Sequence, residues 1–320
     1  MLIPSRGTKK AVVAVALGTI AVLASACSSS SSSSTTTTAA PASTTTTTAP
    51  PIPTTVIPTQ PTNAAIAATV PASIKSAGSL TVAMDATYPP NEFIAPDGST
   101  IVGMDADLTN AITQTLGLKA KLVNVTFDTI IPGIVAGKYG MGASSFTDTL
   151  ARQKVVDFVT YFSAGESFYV KTGSSLVFND ISVICGHSIA VESGTTEETD
   201  AKTQAAKCVA SGKPKANVLV FNTQTDANVA VSSGRADAGF ADSPVAAYIV
   251  ATSNGVFQLS GTAYAPAPYG LALPKGNGMA APVAAAVNLL ISNGVYHQIL
   301  VKWGVQSGAV TTATINSATS

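Results

Sequence analysis

The chain has 320 residues, of which 46% are hydrophobic and 11% charged, so it can build a sizeable core, and its length indicates about two domains. The 17 basic residues balance 17 acidic ones, but Arg6, Lys9 and Lys10 all lie within the first ten positions. The remainder is therefore acidic overall, which excludes the basic face that nucleic-acid binding requires.

The first 27 residues have the order of a secretory signal. Basic residues come first, an apolar run occupies positions 11–23, and Ala24-Ser25-Ala26-Cys27 follows. The apolar run is too short for a comfortable transmembrane helix. The small residues before Cys27 are similar to a lipobox, so we expect Cys27 to be lipidated and to anchor an extracytoplasmic protein to the cell membrane. Cleavage by the ordinary signal peptidase at the Ala-x-Ala sequence is the alternative.

Residues 28–75 are predicted to form a disordered tether. They are mostly Ser, Thr, Ala and Pro with almost no charged or aromatic side chains. Such a segment cannot bury enough apolar surface to offset the entropy of the chain. It would hold the folded part away from the membrane, and it is a candidate for O-glycosylation.

Strand and helix patterns alternate after the tether. Residues 79–84 alternate like a strand that ends before Asp85, and Asp105 can cap the helix that follows. Residues 119–125 form the next strand pattern, and Asp128 can cap a second helix. This alternation predicts an α/β fold with a mostly parallel sheet, whose ligands bind beyond the carboxyl ends of the strands.

The segment from Ser144 to Arg152 is the strongest candidate for a binding site. Without the leader the chain keeps two arginines, and Arg152 comes directly after a run of hydroxyl side chains. A guanidinium offers a planar fork of donors that matches a carboxylate, and hydroxyl and backbone N–H groups can supply further hydrogen bonds. The pattern favours a receptor for a small carboxylate, and a solvated arginine on a helix surface is the alternative.

A second alternation of the same kind follows. Residues 188–192 form a strand pattern, and the turn Ser193–Glu198 opens a helix whose free N–H groups suit an anion. Residues 235–240 form another strand pattern before Asp242. Asp242 therefore has the same position in this half that Asp85 has in the first, although an Asp before Ser-Pro is also an ordinary N-cap.

Cys185 and Cys208 are the two cysteines that follow the tether. In an exported protein such a pair predicts a disulfide. A metal site that includes His187 is the alternative, but the chain has two histidines in all, which makes a cluster of ligands hard to build. We expect a structural disulfide and no metal site.

Taken in order, these blocks resemble the polar amino-acid family of extracytoplasmic solute-binding proteins, family 3, in its actinobacterial lipoprotein type. These proteins are the receptors of ABC importers. Each block is weak alone, but the order over residues 76–304 is specific. The matching blocks are Tyr88–Phe93, Gly103–Leu108, Ile131-Pro132, Ser144–Arg152, Val156–Phe158, Gly194–Thr196, Gly234–Ala238, Asp242, Tyr269-Gly270, Pro274–Gly276 and Gly294–Gly304.

The resemblance implies a type II periplasmic-binding-protein-like α/β fold, with two lobes joined by two crossover strands and a cleft between them. Lobe 1 would contain residues 76–165 and 267–304, lobe 2 residues 166–266, and a C-terminal tail residues 305–320. The implied partners are an amino-acid ligand and the permease and ATPase subunits of an ABC importer. A monomer without a cofactor and without nucleic-acid binding is expected.

The resemblance also implies roles in the cleft. Arg152 would bind the α-carboxylate of the ligand and Asp242 its α-ammonium, a pairing that selects α-amino acids. Hydroxyl and backbone groups would assist, namely Thr147, Thr195 and Thr196 at the carboxylate and Ser145 at the ammonium.

Further roles concern the ligand side chain. Tyr88 and Phe127 would pack on it, and Asp85 would contact its polar end. Because Asp85 should repel a second carboxylate, we expect a neutral polar or basic amino acid. Arg235 is interpreted as structural, and Asp148 departs from the family, in which an apolar residue is common at that position.

Two other functions remain open. One is an exported enzyme similar to cyclohexadienyl or arogenate dehydratases on the same fold, with Glu92 or Glu166 as general acid. The other is the ligand-sensing part of a signalling receptor. We expect a binding protein rather than an enzyme, because the sequence contains no catalytic cluster.

Overall fold

The computed structural model describes residues 52–318; the leader, Cys27 and the first part of the predicted tether lie outside them. The strands are β1 Ser79–Met84, β2 Thr87–Tyr88, β3 Glu92–Ile94, β4 Ile101–Val102, β5 Lys119–Asn124, β6 Met141–Gly142, β7 Val156–Lys171, β8 Ser188–Glu192, β9 Asn217–Phe221, β10 Ala238–Asp242 and β11 Phe257–Pro274. The helices are α1 Ala64–Ala68, α2 Ala72–Ala77, α3 Met104–Thr115, α4 Phe127–Val135, α5 Leu150–Gln153, α6 Thr196–Ala210, α7 Gln224–Ser232, α8 Ser243–Thr252, α9 Ala280–Ser292 and α10 Val295–Trp303, with 3-10 turns at Ile181–Ile184 and Gln306–Gly308.

One eight-stranded sheet organises the molecule, in the order β5-β1-β6-β11-β7-β10-β8-β9. β1 is parallel to β5 and β6, and β8 is parallel to β9 and β10, so each end of the sheet is a parallel α/β unit. The predicted two-lobed type II α/β fold is confirmed. The predicted residue boundaries of the lobes stay a prediction.

The two long strands β7 and β11 connect the lobes. They have 16 and 18 residues and pair with each other in antiparallel fashion. At about 3.3 Å per residue each is long enough to run through both lobes. The register shifts near Tyr264, where a Cβ on Gly165 would lie 2.6 Å from the Tyr264 carbonyl oxygen. Glycine is therefore required at this crossing, because any side chain would separate the strands.

Each lobe has its own apolar core. The lobe that carries β1 buries Leu108 and Ile112 of α3 against helices α9 and α10, and the other lobe buries Ala227 and Val231 of α7. Burying a leucine side chain such as that of Leu108 stabilises the fold by about 2 kcal/mol. The two lobes are thus packed largely separately, although Tyr88 of β2 joins the core of the second lobe.

Helix α3 does not begin as predicted. Asp105, expected to cap it, lies inside its first turn and is completely buried. Its carboxylate accepts hydrogen bonds from Ser145 N–H and Tyr161 Oη–H, both at 2.8 Å. Asp105 thus holds the Ser144–Arg152 segment in place, a contact between residues distant in sequence that the helix pattern could not reveal.

The chain is ordered earlier than the predicted end of the tether at residue 75. Asn63 caps α1 by accepting a hydrogen bond from Ile66 N–H at 3.0 Å. Ile66 and Ile74 of α1 and α2, with Ile57 before them, pack on the core of the first lobe. These isolated isoleucines in a Ser, Thr and Pro-rich background supply too weak a periodic signal to predict two short helices.

The C-terminal tail packs along β7. Residues Val159 and Ile315 form an isolated antiparallel bridge, and Asn316 N–H donates to the Phe158 carbonyl at 3.0 Å. Farther along, Ser317 and Ala318 donate backbone N–H groups to Asp148 Oδ2 at 2.8 and 3.2 Å. Asp148 therefore ties the tail to the segment that carries Arg152.

The predicted disulfide between Cys185 and Cys208 is confirmed, with the two Cα atoms 5.6 Å apart. It ties the 3-10 turn before β8 to the end of α6.

Within residues 52–318, no single helix is long and apolar enough to cross a bilayer. Helices α9 and α10 together reach the length and hydropathy needed, with a 79° bend between them.

Replacing both cysteines by serine should lower the free energy of unfolding by about 3 kcal/mol, because the bridge closes a loop between residues 23 apart and so restricts the unfolded chain. Urea unfolding of the oxidised protein and of the double variant measures the difference. Reduction of the wild-type protein should reproduce it. Equal unfolding midpoints would contradict a stabilising role.

Candidate ligand-binding cleft

A small cavity lies between the lobes, at the carboxyl ends of the parallel strands. All nine side chains predicted to contact a ligand line it, and four more were not predicted as ligand contacts. The predicted residues are Asp85, Tyr88, Phe127, Ser145, Thr147, Arg152, Thr195, Thr196 and Asp242, and the additional ones are Glu92, Ser144, Glu192 and Glu197.

Arg152 lies inside the cleft rather than on a solvated helix surface. Its Nη1 donates to the Thr147 carbonyl at 2.8 Å and its Nη2 to the Gly194 carbonyl of the other lobe at 2.9 Å. The guanidinium carbon is 5.6 and 5.5 Å from the ring centres of Phe127 and Phe146. These contacts fix the plane of the guanidinium and leave three of its five N–H donors for a carboxylate.

The backbone before Arg152 is held in an unusual conformation. Ser145 has φ of 50°, in the left-handed region that non-glycine residues rarely adopt. Its hydroxyl accepts from Asn91 Nδ2 at 2.9 Å, and its N–H donates to Asp105. Such strain persists where surrounding contacts determine it, and here it directs Ser144, Ser145 and Thr147 toward the cavity.

The other lobe contributes the start of α6. Thr195 caps this helix by accepting from Glu198 N–H at 3.1 Å, which orients the first turn toward the cavity. The first N–H groups of a helix have no partner within the helix, so those of Thr195 and Thr196 suit an anion bound at Arg152. Gly194 precedes the turn with φ of 80°, and a Cβ there would lie 2.9 Å from Asp128 of the first lobe.

Asp242 occupies the position before α8, yet its side chain makes no capping hydrogen bond. Instead, Tyr88 Oη donates to Asp242 Oδ2 at 2.9 Å and accepts from Asp242 N–H at 3.0 Å. Burial, followed by the nearby Glu197, raises the pKa of the Asp242 carboxyl well above its usual range. Asp242 therefore lines the cleft and does not cap α8. Tyr88 of the first lobe holds it through these two hydrogen bonds.

Asp85 and Glu192 face each other from opposite lobes, each at the carboxyl end of its strand. The Thr87 hydroxyl lies between them, 2.6 Å from Asp85 Oδ1 and 3.5 Å from Glu192 Oε1. Phe127 N–H donates to Asp85 Oδ2 at 2.9 Å, so Asp85 rather than Asp128 satisfies the start of α4. Burial, and secondarily Asp85, raises the pKa of the Glu192 carboxyl well above its usual range.

Sequence reasoning missed Glu192 and Glu197 as cavity residues. Glu192 ends a predicted strand just as Asp85 does, so the strand-end rule could have found it. Glu197 looked like an ordinary acidic residue in the first turn of a helix, but it is 2% exposed and its Oε1 has no hydrogen-bond partner within residues 52–318. The direction in which the Glu197 side chain points depends on how α6 packs against Arg152. The sequence pattern contains no information about this packing.

The charge in the cavity is strongly one-sided. Among the residues that line it, Arg152 is the one cation, and five are carboxylic acids: Asp85, Glu92, Glu192, Glu197 and Asp242. Burial lowers the pKa of Arg152 and raises the pKa of each of these carboxyl groups. Buried acids shift in this way when nearby positive charge is insufficient to stabilise their ionised forms.

The described part of the chain has no group of three side chains arranged to hold a metal ion.

Direct contacts across the cleft show that the lobes are closed. Thr147 Oγ1 and Thr196 Oγ1 are 3.3 Å apart, and Ser193 Oγ donates to Asp128 Oδ2 at 3.4 Å. Tyr88 of the first lobe packs within the apolar core of the second. Any molecule held in this cavity would therefore contact residues of both lobes.

Glu166 lies on β7 beside the cleft and lines a neighbouring cavity together with Asp200 and Asp242. Burial, with the negative charges of Glu197 and Asp200, raises the pKa of Glu166 from 4.5 to about 8. Because the pKa in the folded state is above the unfolded value, the stability that protonated Glu166 contributes is fully present below pH 4.5 and lost as the pH rises through 8.

The Glu166→Gln variant should consequently melt about 2 to 4 °C above the wild type at pH 9 and within a degree of it at pH 5. The shift corresponds to about 1 kcal/mol, less than the full pKa change implies, because the carboxyl is partly exposed and solvent screens it. Calorimetric melting at the two pH values tests this. A pH-independent difference would show that the titration of Glu166 is not responsible.

A cleft between two α/β lobes that closes around a charged cavity is the architecture of a solute receptor. Residues 80–306 match the family of bacterial extracellular solute-binding proteins, family 3. The chain belongs to this family, as the order of its sequence blocks indicated.

Individual relatives are similar over most of their length. The arginine-binding protein ArgT of Corynebacterium glutamicum is 35% identical over 252 residues, which cover 78% of this chain and 82% of the relative. The solved structure of an ancestral arginine-binding protein bound to arginine has a TM-score of 0.66 and 33% identity, and the match covers 71% of this chain and 98% of that one. An ancestral amino acid-binding protein, a precursor of cyclohexadienyl dehydratase, has a TM-score of 0.65 and 32% identity, covering 72% and 97%.

Proposed function

We propose that the protein captures an α-amino acid with a cationic side chain outside the cytoplasm and delivers it to an ABC importer. The observation that carries this proposal is a closed cavity in which one guanidinium faces five carboxyl groups. Similarity to arginine-binding relatives supports the same ligand class. The sequence allowed neutral or basic side chains, and the charge of the cavity favours basic ones.

The two ends of the α-amino acid group would bind on opposite sides of the cavity. Arg152, with the N–H groups of Thr195 and Thr196, would bind the α-carboxylate, and Asp242 with Ser145 the α-ammonium. Together these groups require an anion and a cation on the same carbon. A simple carboxylate would bring no positive charge to Asp242, and a simple amine would bring no negative charge to Arg152.

The remaining carboxyl groups select for the side chain. An acidic ligand would place its carboxylate among Asp85, Glu92 and Glu192, where burial already disfavours the ionised form of a carboxyl group. A basic ligand supplies the positive charge that these groups lack. The cavity therefore discriminates by charge first and by shape second.

Closure would couple binding to delivery. We place the hinge where β7 and β11 cross, so that lobe 1 has residues 76–165 and 267–304 and lobe 2 residues 166–266. A ligand that contacts both lobes stabilises the closed form, and the importer would recognise that form.

A thermal-shift screen of the purified protein against the twenty amino acids tests the ligand class. Arginine and lysine should give the largest increases in melting temperature, because a ligand that binds the folded state stabilises it more the further its concentration exceeds its Kd. Glutamate and aspartate should give no increase. A largest shift with either acid would overturn the proposal.

Cys27 is proposed as the site of a lipid anchor, on the basis of the small residues before it and the long Ser, Thr and Pro-rich segment after it. Replacing Cys27 by alanine should move the protein from the membrane fraction of the producing cells to the medium or to the precursor form. An unchanged membrane fraction would contradict the anchor.

An enzyme of the cyclohexadienyl dehydratase type is the second candidate, because one similar structure is a precursor of such enzymes. Glu92 lines the cavity, and burial together with Asp105 raises the pKa of its carboxyl well above the usual range, as a general acid requires. Ser144 Oγ donates to Glu92 at 2.8 Å, so Glu92 is also explained as a support of the binding segment. Incubation with prephenate or arogenate decides: release of product favours the enzyme, and unchanged substrate favours the receptor.

A further inference from the structure

We propose that Glu92 and Asp105 share one proton beneath the Ser144–Arg152 segment, with Glu92 as the donor and Asp105 Oδ1 as the acceptor, and that this buried acid pair holds the segment in its binding conformation. This inference rests on the proposed function, since it concerns how the binding segment of the same cavity is positioned. Glu92 and Asp105 are thus positioning residues, because they act on the ligand through the segment.

The hydrogen bonds of Asp105 leave one buried oxygen without a donor. Asp105 Oδ2 accepts from Ser145 N–H and from Tyr161 Oη–H, both at 2.8 Å. Asp105 Oδ1 is buried and has no hydrogen-bond partner within residues 52–318. Buried polar atoms are normally satisfied, so a donor is missing at this position. A protonated carboxyl group is such a donor, because it carries one O–H.

The Glu92 carboxyl group lies beside that of Asp105. The Ser145 hydroxyl oxygen is 3.4 Å from Glu92 Oε2 and 3.3 Å from Asp105 Oδ2, so both carboxyl groups contact the same atom. That hydroxyl has one proton and can donate to only one of them. Both acidic residues are 0% exposed. Two carboxyl groups this close in a buried site do not both ionise unless a cation lies between them.

The charged groups around the pair do not supply that cation. Asp85 at the end of β1 adds negative charge, and Tyr161 of β7 contributes a neutral hydroxyl. On α3, Asp107 is paired with Lys302 at 2.8 Å, so this lysine already has a carboxylate partner. Arg152 lines the same cavity, and its Nη1 and Nη2 donate to backbone carbonyl groups. In the ligand-free protein, a proton therefore neutralises one member of the pair.

Glu92 carries the proton because Asp105 is the better stabilised anion. Burial raises the pKa of the Asp105 carboxyl, but the hydrogen bonds from Tyr161 and Ser145 oppose this rise. Glu92 accepts one short hydrogen bond, from Ser144 Oγ at 2.8 Å. Burial, followed by the charge of Asp105, raises the pKa of the Glu92 carboxyl well above its usual range.

The acid pair connects β3 and α3 to the binding segment. Ser144 Oγ donates to Glu92 and accepts from Asp85 N–H at 2.9 Å. Ser145 N–H donates to Asp105 while Ser145 keeps its φ of 50°. Because the folded-state pKa of Glu92 is above the unfolded value, the stability that protonated Glu92 contributes is fully present below pH 4.5 and is lost as the pH rises through the raised pKa.

Infrared spectroscopy of the ligand-free protein, isotopically labelled in its glutamate carboxyl groups, tests the shared proton. The carboxylic-acid C=O band of glutamate should lose the intensity of one group in Glu92→Gln at neutral pH. It should also weaken in Asp105→Asn, where Glu92 is still present, because the asparagine N–H becomes the donor and Glu92 the ionised acceptor. The matched control is Glu198→Gln, which removes a glutamate paired with Lys202 and should leave the band unchanged.

Calorimetric titration with arginine tests the positioning role. Glu92→Gln and Glu92→Met both remove the carboxyl group, but only glutamine keeps a donor for Asp105 and an acceptor for Ser144. The Kd of Glu92→Met should therefore be about tenfold above that of Glu92→Gln, because buried partners are left unsatisfied. A direct effect of a Glu92 charge on the ligand would change both variants equally.

The same carboxylic-acid band in wild type and in Glu92→Gln would overturn the shared proton. Equal Kd values for Glu92→Gln and Glu92→Met would overturn the positioning role. If Glu92→Gln fails to fold, an unchanged band in Asp105→Asn overturns the proposal. Failure of the wild type to bind any amino acid would overturn the proposed function, while the infrared result still decides whether the proton is shared.

Discussion

Replacing Arg152 by alanine should weaken amino-acid binding by about 2 to 5 kcal/mol, which is roughly a 30- to 5,000-fold increase in Kd. The ligand carboxylate would be enclosed without its main partner, next to Glu197 and Asp242. The variant also loses the contact of Nη2 with the Gly194 carbonyl, which joins the lobes directly. Arg152→Lys should recover part of the affinity, because lysine restores the charge but not the fork geometry.

Arg235→Ala is the matched control for this experiment. Arg235 is the other arginine that follows the leader, and its guanidinium lies 4.8 Å from the ring centre of Phe221 on the edge strand β9, away from the cavity. Calorimetric titration should give the wild-type Kd for this variant. If Arg152→Ala bound an amino acid as tightly as the wild type, Arg152 would not be the carboxylate site.

Replacing Asp242 by asparagine should raise the Kd about 30- to 150-fold, equivalent to about 2 to 3 kcal/mol. Asparagine keeps an oxygen that can accept from Tyr88 Oη, so the side chain stays in place while its negative charge is lost. The ligand ammonium then loses its principal counter-ion. The Kd values for neutral and for basic amino acids should rise by the same factor, because every α-amino acid carries this ammonium.

Asp226→Asn provides the comparison for the Asp242 experiment. Asp226 is an exposed aspartate in the first turn of α7, and it accepts a hydrogen bond from the Thr223 hydroxyl. It does not line the cavity. Its replacement should leave the Kd unchanged. A loss of affinity in Asp242→Asn confined to basic ligands would move Asp242 from the ammonium site to the side-chain site.

The alternation of strand and helix patterns was sufficient to predict the α/β class and the parallel units. The long strands β7 and β11 could not be recognised as continuous elements, because Gly165 in one and Ala-Pro repeats in the other interrupt the pattern where they cross. Docking of α1, α2 and the tail depends on contacts between residues far apart in the sequence. Local propensity contains little information about such contacts.

The candidate site was predictable to the extent that it follows strand ends and one exceptional residue. Arg152 stands out because arginine is so rare in this chain, and Asp85 and Asp242 stand out because they end strands. Glu92 and Glu197 lie in ordinary sequence contexts, and their inward direction results from the packing of other elements around them. The acidic character of the cavity therefore emerged from the structure, although each carboxylate is visible in the sequence.

Hydrogen bonds from Ser317 and Ala318 attach the last described residues to Asp148, which lies four positions before Arg152, the proposed carboxylate site. A fluorescent reporter or affinity tag appended there would pull on the Ser144–Arg152 segment and alter the signal that it is meant to report. Biosensor designs based on this chain are therefore better served by insertion into an exposed turn, such as the one that contains Gly98, than by fusion at the C-terminal end.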